Sequence, residues 1–227
     1  MLLAIDTSTG IASLALATDN EIISEMTWPC RSNHSVELLP RLEAMLKLAR
    51  LSPAELGAIV VARGPGSFNG LRVGVSTAKA LAFSLKLPLV GVSTLAAAAY
   101  SQAGAGLPVC ALLPAGREEM AVALFQRRDG AWHVIKAEHL ATIAALADTI
   151  NTPTVFCGEF TQDVATELAR RLGDNARIAT PAACLRRAAY LAELGAAELR
   201  AGRAGDAATL QPLYLRRPPI TERKSRT

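Results

Sequence analysis

Residues 64–72 read Gly-Pro-Gly-Ser-Phe-Asn-Gly-Leu-Arg, and they join an apolar strand-like run at 58–62 to a long helix-like run that starts near Leu71. Glycine adopts backbone conformations that other residues avoid, and proline fixes one backbone dihedral, so this reversal from strand to helix should be rigid. Backbone amides left free at the start of the helix could also hold an anion. A P-loop would end in Gly-Lys-Ser or Gly-Lys-Thr, and the dinucleotide fingerprint has a shorter last gap. The sequence therefore favours a tight packing turn over a nucleotide loop. We call residues 64–70 the glycine loop; its key positions are Gly64, Gly66, Ser67 and Gly70.

The composition is that of a well-buried protein with a neutral body. Of the 227 residues, 51% are hydrophobic, which suits one large domain or two of about 100 residues each. The net charge of +4 comes from residues 216–227, where five basic residues outnumber one acidic residue. Strong nucleic-acid binders usually carry a basic face on the folded domain, so any RNA contact should use this tail or a partner. The simpler interpretation of the tail is a solvated end.

Neither a membrane segment nor a redox or zinc site is expected. The longest apolar run, residues 80–100, is interrupted by Lys86 and Pro88, and the apolar start of the chain meets Asp6 too early for a signal peptide. These patterns predict no membrane contact and a cytoplasmic location. The cysteines stand far apart, with no Cys-x-x-Cys pair, and are interpreted as buried free thiols: Cys30, Cys110, Cys157 and Cys184.

The order of elements repeats along the chain. Three strands, a helix, a strand and a helix are expected in the first half, at 2–5, 11–18, 21–26, 36–48, 58–62 and 71–85. The second half should repeat that βββαβα order, at 108–113, 120–126, 132–136, 140–150, 154–157 and 164–172. This predicts a duplicated α/β protein with mixed sheets and helices outside. We place the first half at residues 1–102, the second at 103–205 with a last helix at 185–200, and a basic tail at 206–227.

The helix after the glycine loop is apolar nearly all round. Such a helix must be covered on two sides, one by its own sheet and the other by something else; the alternative is a helix buried wholly inside the fold. Its small residues would let another helix approach closely, as in a four-helix bundle. The predicted partner face combines this helix with the one at 36–48 and comprises Leu39, Leu42, Leu46, Leu71, Arg72, Gly74, Val75, Ala78 and Ala82.

Several motifs together resemble the bacterial TsaB (YeaZ) family. They are Ala-Ile-Asp-Thr-Ser-Thr at 4–9, His-Ser at 34–35, the glycine loop with its helix, Pro-Leu-Val-Gly-Val at 88–92 and Tyr-Leu-Arg at 214–216. The resemblance implies the duplicated actin-like, sugar-kinase and Hsp70-type ATPase fold, with two RNase H-like halves. It also implies a part in making threonylcarbamoyladenosine in tRNA, as partner of the catalytic subunit TsaD and with the ATPase TsaE.

The residues that would bind nucleotide in this fold are only partly present. Asp6, Thr7, Ser8 and Thr9 keep the acid and hydroxyls but lack an intervening glycine, and a simple strand-end turn explains them equally well. In the second half the matching position holds Pro114, which offers neither a carboxylate nor an amide. The expected adenosine-binding Gly-Gly turn is also missing, and Cys-Gly-Glu at 157–159 is the nearest candidate.

Metal-dependent and nucleophilic hydrolysis are not supported either. The two metal-binding histidines of TsaD-like proteins would fall on Thr94 and Ala98, and the histidines that are present stand far apart, at His34, His133 and His139. No serine lies in a Gly-x-Ser-x-Gly motif. We therefore expect no metal and reject a peptidase.

The leading hypothesis is a catalytically silent scaffold that activates a TsaD-type subunit. On this hypothesis the chain binds no cofactor firmly, ATP could bind at the complex interface, and tRNA is contacted only through the complex. A TsaE-type ATPase is a further expected partner, and the free chain should form a homodimer. The rival is an active small-molecule kinase or ATPase using Asp6, and a third possibility is an RNA-binding module acting through the tail.

Overall fold

A computed structural model describes residues 1–30, 33–205 and 207–216. The first half holds a five-stranded sheet in the order β3-β2-β1-β4-β5. Its strands are β1 (Leu2–Asp6), β2 (Ile11–Ala17), β3 (Ile22–Pro29), β4 (Ala58–Gly64) and β5 (Leu89–Ser93). Its helices are α1 (His34–Leu48), α2 (Phe68–Leu85) and α3 (Thr94–Tyr100), with a 3₁₀ turn at Pro53–Glu55.

The second half holds another five-stranded sheet, in the order β10-β9-β6-β7-β8. Its strands are β6 (Val109–Pro114), β7 (Met120–Arg128), β8 (Ala131–Ala141), β9 (Thr154–Gly158) and β10 (Ala176–Ile178). Its helices are α4 (Ile143–Ala147), α5 (Gln162–Leu172), α6 (Pro181–Cys184) and α7 (Ala188–Arg200), with a 3₁₀ turn at Gly173–Asn175.

The two sheets have the same topology. In each, the first three strands form an antiparallel meander, and the fourth pairs in parallel with the first, so β9 corresponds to β4. Two glycines mark this correspondence: Gly64 and Gly158 end these strands at φ +119° and +111°. The predicted duplicated fold is therefore confirmed, although the short edge strand β10 was not predicted because three residues give no readable periodicity.

Several predicted helix boundaries need correction. α2 begins at Phe68, three residues before the predicted start, because the Ser67 hydroxyl caps it by accepting from the amide of Gly70. The helix expected at 140–150 is confined to Ile143–Ala147, since β8 runs on to Ala141. The last helix begins at Ala188 rather than at residue 185.

The halves exchange helices, which corrects the predicted boundary between them. α3 follows the first sheet in sequence, yet Leu95, Ala98 and Ala99 lie in the core of the second sheet. In return, α7 covers the first sheet with Leu191 and Ala192, opposite the face that α1 and α2 cover. The range 103–205 is therefore not a self-contained half, because its last helix belongs to the core of the other sheet.

The chain after α7 lies against the body, which corrects the prediction of a tail from residue 206. The Leu213 amide donates to the carbonyl oxygen of Arg63 (2.6 Å), and the Lys79 ammonium donates to two carbonyl oxygens of the segment. Tyr214 packs on Phe68, with ring centroids 5.2 Å apart. Arg216 reaches the second half, where it pairs with Glu119. Residues 217–227, half of the predicted tail, lie outside the described residues.

These contacts predict two different outcomes for truncation. Removing residues 217–227 should leave the thermal midpoint within about 1 °C, because it removes none of the contacts above. Removing residues 211–227 should lower the midpoint by roughly 5 °C or more, since the Arg63 pairing and the Tyr214 packing are lost. Differential scanning calorimetry of both variants tests this. An equal loss in the two would show that residues 211–216 add nothing to stability beyond residues 217–227, against the contacts described.

Candidate functional site: the turn after the first strand

The turn after β1, residues 6–9, is almost completely buried, and we call it the β1 turn. Asp6 is 1% exposed, and one of its carboxylate oxygens accepts from the amide and the hydroxyl of Ser8, at 2.9 and 2.6 Å. This is the strand-end turn that the sequence left open as an alternative to a nucleotide site.

The second carboxylate oxygen of Asp6 is taken by an arginine that the sequence analysis missed. Arg186 lies between α6 and α7, is 3% exposed, and its Nε donates to Asp6 Oδ2 at 2.5 Å. Its Nη1 donates to Glu159 at 2.6 Å, and its Nη2 donates to the Thr9 hydroxyl at 2.8 Å. The Thr9 hydroxyl in turn donates to Glu159 at 2.7 Å. One guanidinium thus joins a carboxylate from each half.

The charges of this cluster keep Arg186 ionised. Burial by itself would lower its pKa, but the neighbouring carboxylates of Asp6 and Glu159 outweigh burial, so the pKa of Arg186 is raised. Removing one member of such a buried pair leaves an uncompensated charge, at a cost of roughly 3–5 kcal/mol. The cluster is therefore an internal ion pair with its hydrogen bonds made, built around the aspartate that the family resemblance marked as a possible nucleotide residue.

The glycine loop packs against the other side of the β1 turn. A Cβ atom on Gly66 would collide with the Ser8 carbonyl oxygen, and one on Gly70 would collide with the Thr7 carbonyl oxygen. The amide of Ser67 donates to the Ser8 carbonyl at 2.6 Å, and the Thr7 hydroxyl donates to the Gly70 carbonyl at 2.7 Å. The predicted tight packing turn is what the structure contains, and the Ser67 amide is not free for an anion.

Most residues of the predicted partner face are buried inside the chain, so that face needs correction. Seven of its nine residues lie in the chain's own core or against the β1 turn, because α1 and α2 turn these residues inward. They are Leu42, Leu46, Leu71, Gly74, Val75, Ala78 and Ala82. Leu39, 52% exposed, and Arg72 do face outward. α2 is therefore not wholly buried, and its outer side mixes charged, polar and apolar residues.

The outward-facing residues define a different surface, which we call the outer face. On α2 the exposed positions recur every three or four residues, at Arg72, Ser76, Ala80 and Phe83, and Phe83 is 84% exposed. On α1, Val36 and Leu39 are 67% and 52% exposed. A groove of about 330 Å³ runs between the two helices and is lined by Ser35, Leu38, Leu39, Arg72, Val73, Ser76 and Thr77.

The predicted degenerate positions of the second half have structural roles. Pro114 ends β6, and the next residues turn sharply, with Arg117 and Glu118 at positive φ. Gly158 lies where a Cβ atom would collide with the Leu112 carbonyl oxygen, so close strand packing explains this glycine. A groove of about 640 Å³ opens beside it, between α5 and the α6 region, and its lining includes no carboxylate.

Metal-binding and nucleophilic groups are not assembled. In residues 1–30, 33–205 and 207–216, no three His, Cys, Asp or Glu side chains form a group that could hold a metal ion. Thr94 and Ala98 are buried, and His34 is 5% exposed and bonded to the Thr9 carbonyl at 2.8 Å. Burial raises the pKa of Cys110 to about 12 and also raises that of Cys157, so neither thiol is a nucleophile at neutral pH.

Comparison with known proteins identifies the family. The family model described as TsaD, tRNA N6-adenosine threonylcarbamoyltransferase, matches residues 29–222. The tRNA threonylcarbamoyladenosine biosynthesis protein TsaB of Bacillus subtilis is 31% identical over 218 residues, which cover 95% of this chain and 93% of the relative. The chain belongs to the TsaB (YeaZ) family. As a TsaB-family member it also matches a Pseudomonas aeruginosa protein described as similar to peptidase YEAZ, at 25% identity and a TM-score of 0.80, over 95% of this chain and 99% of that one.

More distant structures of active enzymes share only the fold of this TsaB-family chain. A ROK hexokinase from Thermus thermophilus matches with a TM-score of 0.53 at 11% identity, over 88% of this chain and 99% of that one. The actin-like ATPase fold is thereby established, and it carries no activity with it. Among the described residues, no helix combines the length and apolar character needed to cross a bilayer.

Proposed function

We propose that this chain is a non-catalytic subunit in the formation of threonylcarbamoyladenosine in tRNA. It binds a TsaD-type catalytic subunit through the outer face of α1 and α2. The B. subtilis relative carries the name of that biosynthesis, and the family model that matches this chain is that of the threonylcarbamoyltransferase itself. A scaffold and its catalytic homologue with the same fold can present equivalent helix pairs to each other.

One observation supports the absence of catalysis: Arg186 pairs with Asp6, the carboxylate that a metal-dependent ATPase would need. Both oxygens of that carboxylate are already bonded, one to Ser8 and the other to the guanidinium. The glycine loop meanwhile contacts the backbone of the β1 turn, where a phosphate would need room and free amides. An active kinase or ATPase would have to break this buried cluster in each cycle, so we set the kinase alternative aside.

The outer face supports the partner role. Val36, Leu39 and Phe83 are exposed apolar side chains on two adjacent helices, and Leu39 lines the groove between them. In the free chain the same face would be open to a second copy, which accounts for the homodimer we propose for the chain alone. A TsaE-type ATPase and tRNA would join through the complex, with ATP bound at its interface rather than in this chain.

Nucleotide turnover tests the non-catalytic part directly. The purified chain should hydrolyse ATP no faster than buffer, and the Asp6→Asn variant should leave that background unchanged. Reconstituted threonylcarbamoylation by a TsaD-type subunit should, in contrast, depend on adding this chain. ATP turnover by the chain alone that disappears in Asp6→Asn would refute the proposal and revive the kinase alternative.

A further inference from the structure

The β1 turn is the shared anchor of both helices that form the outer face. α1 is tied to it at its first residue, where the His34 ring bonds to the Thr9 carbonyl oxygen at 2.8 Å. α2 is tied to it by the hydroxyl of Thr7, which donates to the Gly70 carbonyl at 2.7 Å, and by the Ser67–Ser8 backbone bond. Both helices therefore start from one four-residue turn.

The opposite side of that turn is held by the second half. Arg186 bonds to Asp6 and to the Thr9 hydroxyl, and its Nη2 also donates to the Ile11 carbonyl at 3.1 Å. Glu159, which follows β9, bonds both to Arg186 and to Thr9. Among the described residues, the hydrogen bonds from the second half to the β1 turn all involve these two side chains.

We infer that Arg186 and Glu159 are positioning residues for the outer face: from the second half, they fix the β1 turn and through it the placement of α1 and α2. The effect on partner binding rests on the proposed function, whereas the effect on the helices does not. The β1 turn, where the resemblance implied a nucleotide site, thus serves to align the partner-binding helices.

The packing leaves little slack between the turn and the helices. The Cβ positions of Gly66 and Gly70 are filled by carbonyl oxygens of the turn, and that of Gly74 is filled by the Thr7 hydroxyl. A shift of the turn must therefore be passed on to α2, because close-packed interiors transmit displacement instead of absorbing it. Even a small displacement of α2 would weaken partner binding, since a helix face binds its partner by shape complementarity.

The test uses variants that remove the bonds to the β1 turn without leaving a fully buried charge unpaired. In Asp6→Asn/Arg186→Met the guanidinium and the fully buried Asp6 charge are removed together, and the Glu159 carboxylate that loses its arginine is partly exposed and keeps its bond from the Thr9 hydroxyl. Glu159→Gln is a milder variant at a side chain that is 28% exposed. Arg187→Met is the matched control, because that neighbouring arginine pairs with Glu25 at the surface and does not bond to the β1 turn.

Two readouts are measured on each full-length variant. Amide hydrogen exchange of the free protein should become at least about tenfold faster at the start of α1 and in the first two turns of α2 in the double variant, and less so in Glu159→Gln. The dissociation constant for a TsaD-type subunit should rise about tenfold in the double variant. Circular dichroism should stay native, and Arg187→Met should match the unchanged protein in both readouts.

The outcomes separate this inference from the proposed function. Unchanged exchange in both helices in the double variant would overturn the positioning role, even with partner binding intact. Faster exchange with no binding of a TsaD-type subunit by the unchanged protein would support the positioning role and refute the proposed partner. If the double variant does not fold, Glu159→Gln decides: unchanged exchange in it overturns the inference, and faster exchange supports it.

Discussion

Replacing Gly70 with valine is expected to lower the free energy of unfolding by about 4 kcal/mol or more. The Cβ position of this glycine is occupied by the Thr7 carbonyl oxygen, which is backbone and cannot swing aside as a flexible side chain would. Any accommodation must pull α2 away from the β1 turn. That movement also breaks the bond from the Thr7 hydroxyl to the Gly70 carbonyl. Urea denaturation followed by circular dichroism measures the loss.

Gly104→Ala provides the matched control. No atom lies within 4 Å of the Cβ position of Gly104, so this variant should unfold within about 0.5 kcal/mol of the unchanged protein. A bulky residue at Gly74, as in Gly74→Trp, would not test the partner interface selectively. The Thr7 side chain already fills the space that the tryptophan would need, so this variant should also lose stability. A Gly70→Val protein of normal stability would show that the contact between the glycine loop and the β1 turn is looser than described.

The Leu39→Asp variant is expected to weaken association with a TsaD-type subunit more than about 100-fold, or ~2.7 kcal/mol, without changing the stability of the free chain. Leu39 is 52% exposed on the groove between α1 and α2, so the carboxylate stays hydrated in the free chain. In a complex it would be buried against an apolar surface without a partner. Isothermal titration calorimetry gives the affinity, and thermal denaturation gives the stability.

Leu48→Asp is the control for Leu39→Asp. Leu48 is 78% exposed on the same helix, and nine residues further along it points half a turn away from Leu39. The control should therefore bind normally if the groove side is the partner surface. Equal loss in both variants would point to a general effect on α1, and normal binding of Leu39→Asp would remove the outer face from the proposed interface.

Much of the architecture was readable from local patterns. Alternating and continuous apolar runs gave nearly all the strands, and the glycines with Pro65 gave the sharp passage from β4 into α2. The departure from a complete nucleotide motif could also be read from the sequence, since it depends on single positions: Pro114, and the lack of a glycine directly after Asp6. These signals are local, and local periodicity is what sequence patterns record best.

The parts that were missed depend on contacts between distant residues. Arg186 meets Asp6 across 180 positions, and nothing in its neighbourhood distinguishes it from Arg187. The orientation of α2 was missed for another reason: its small residues suit a close contact with a partner and a close contact with the chain's own β1 turn equally well. Only the position of Thr7 beside Gly74 shows which contact is made.

The exchange of α3 and α7 has a consequence for how the chain folds as it is made. The first sheet is complete in sequence by Ser93, but one of its faces stays bare until the residues of α7, 188–200, have been synthesised. The second sheet packs against α3, which precedes it in the sequence and is therefore made first. The core face that α7 covers therefore stays open until most of the chain has been made, whereas the second sheet finds α3 already synthesised. Closure of the first half is therefore a late event, and until then its nascent sheet exposes apolar surface.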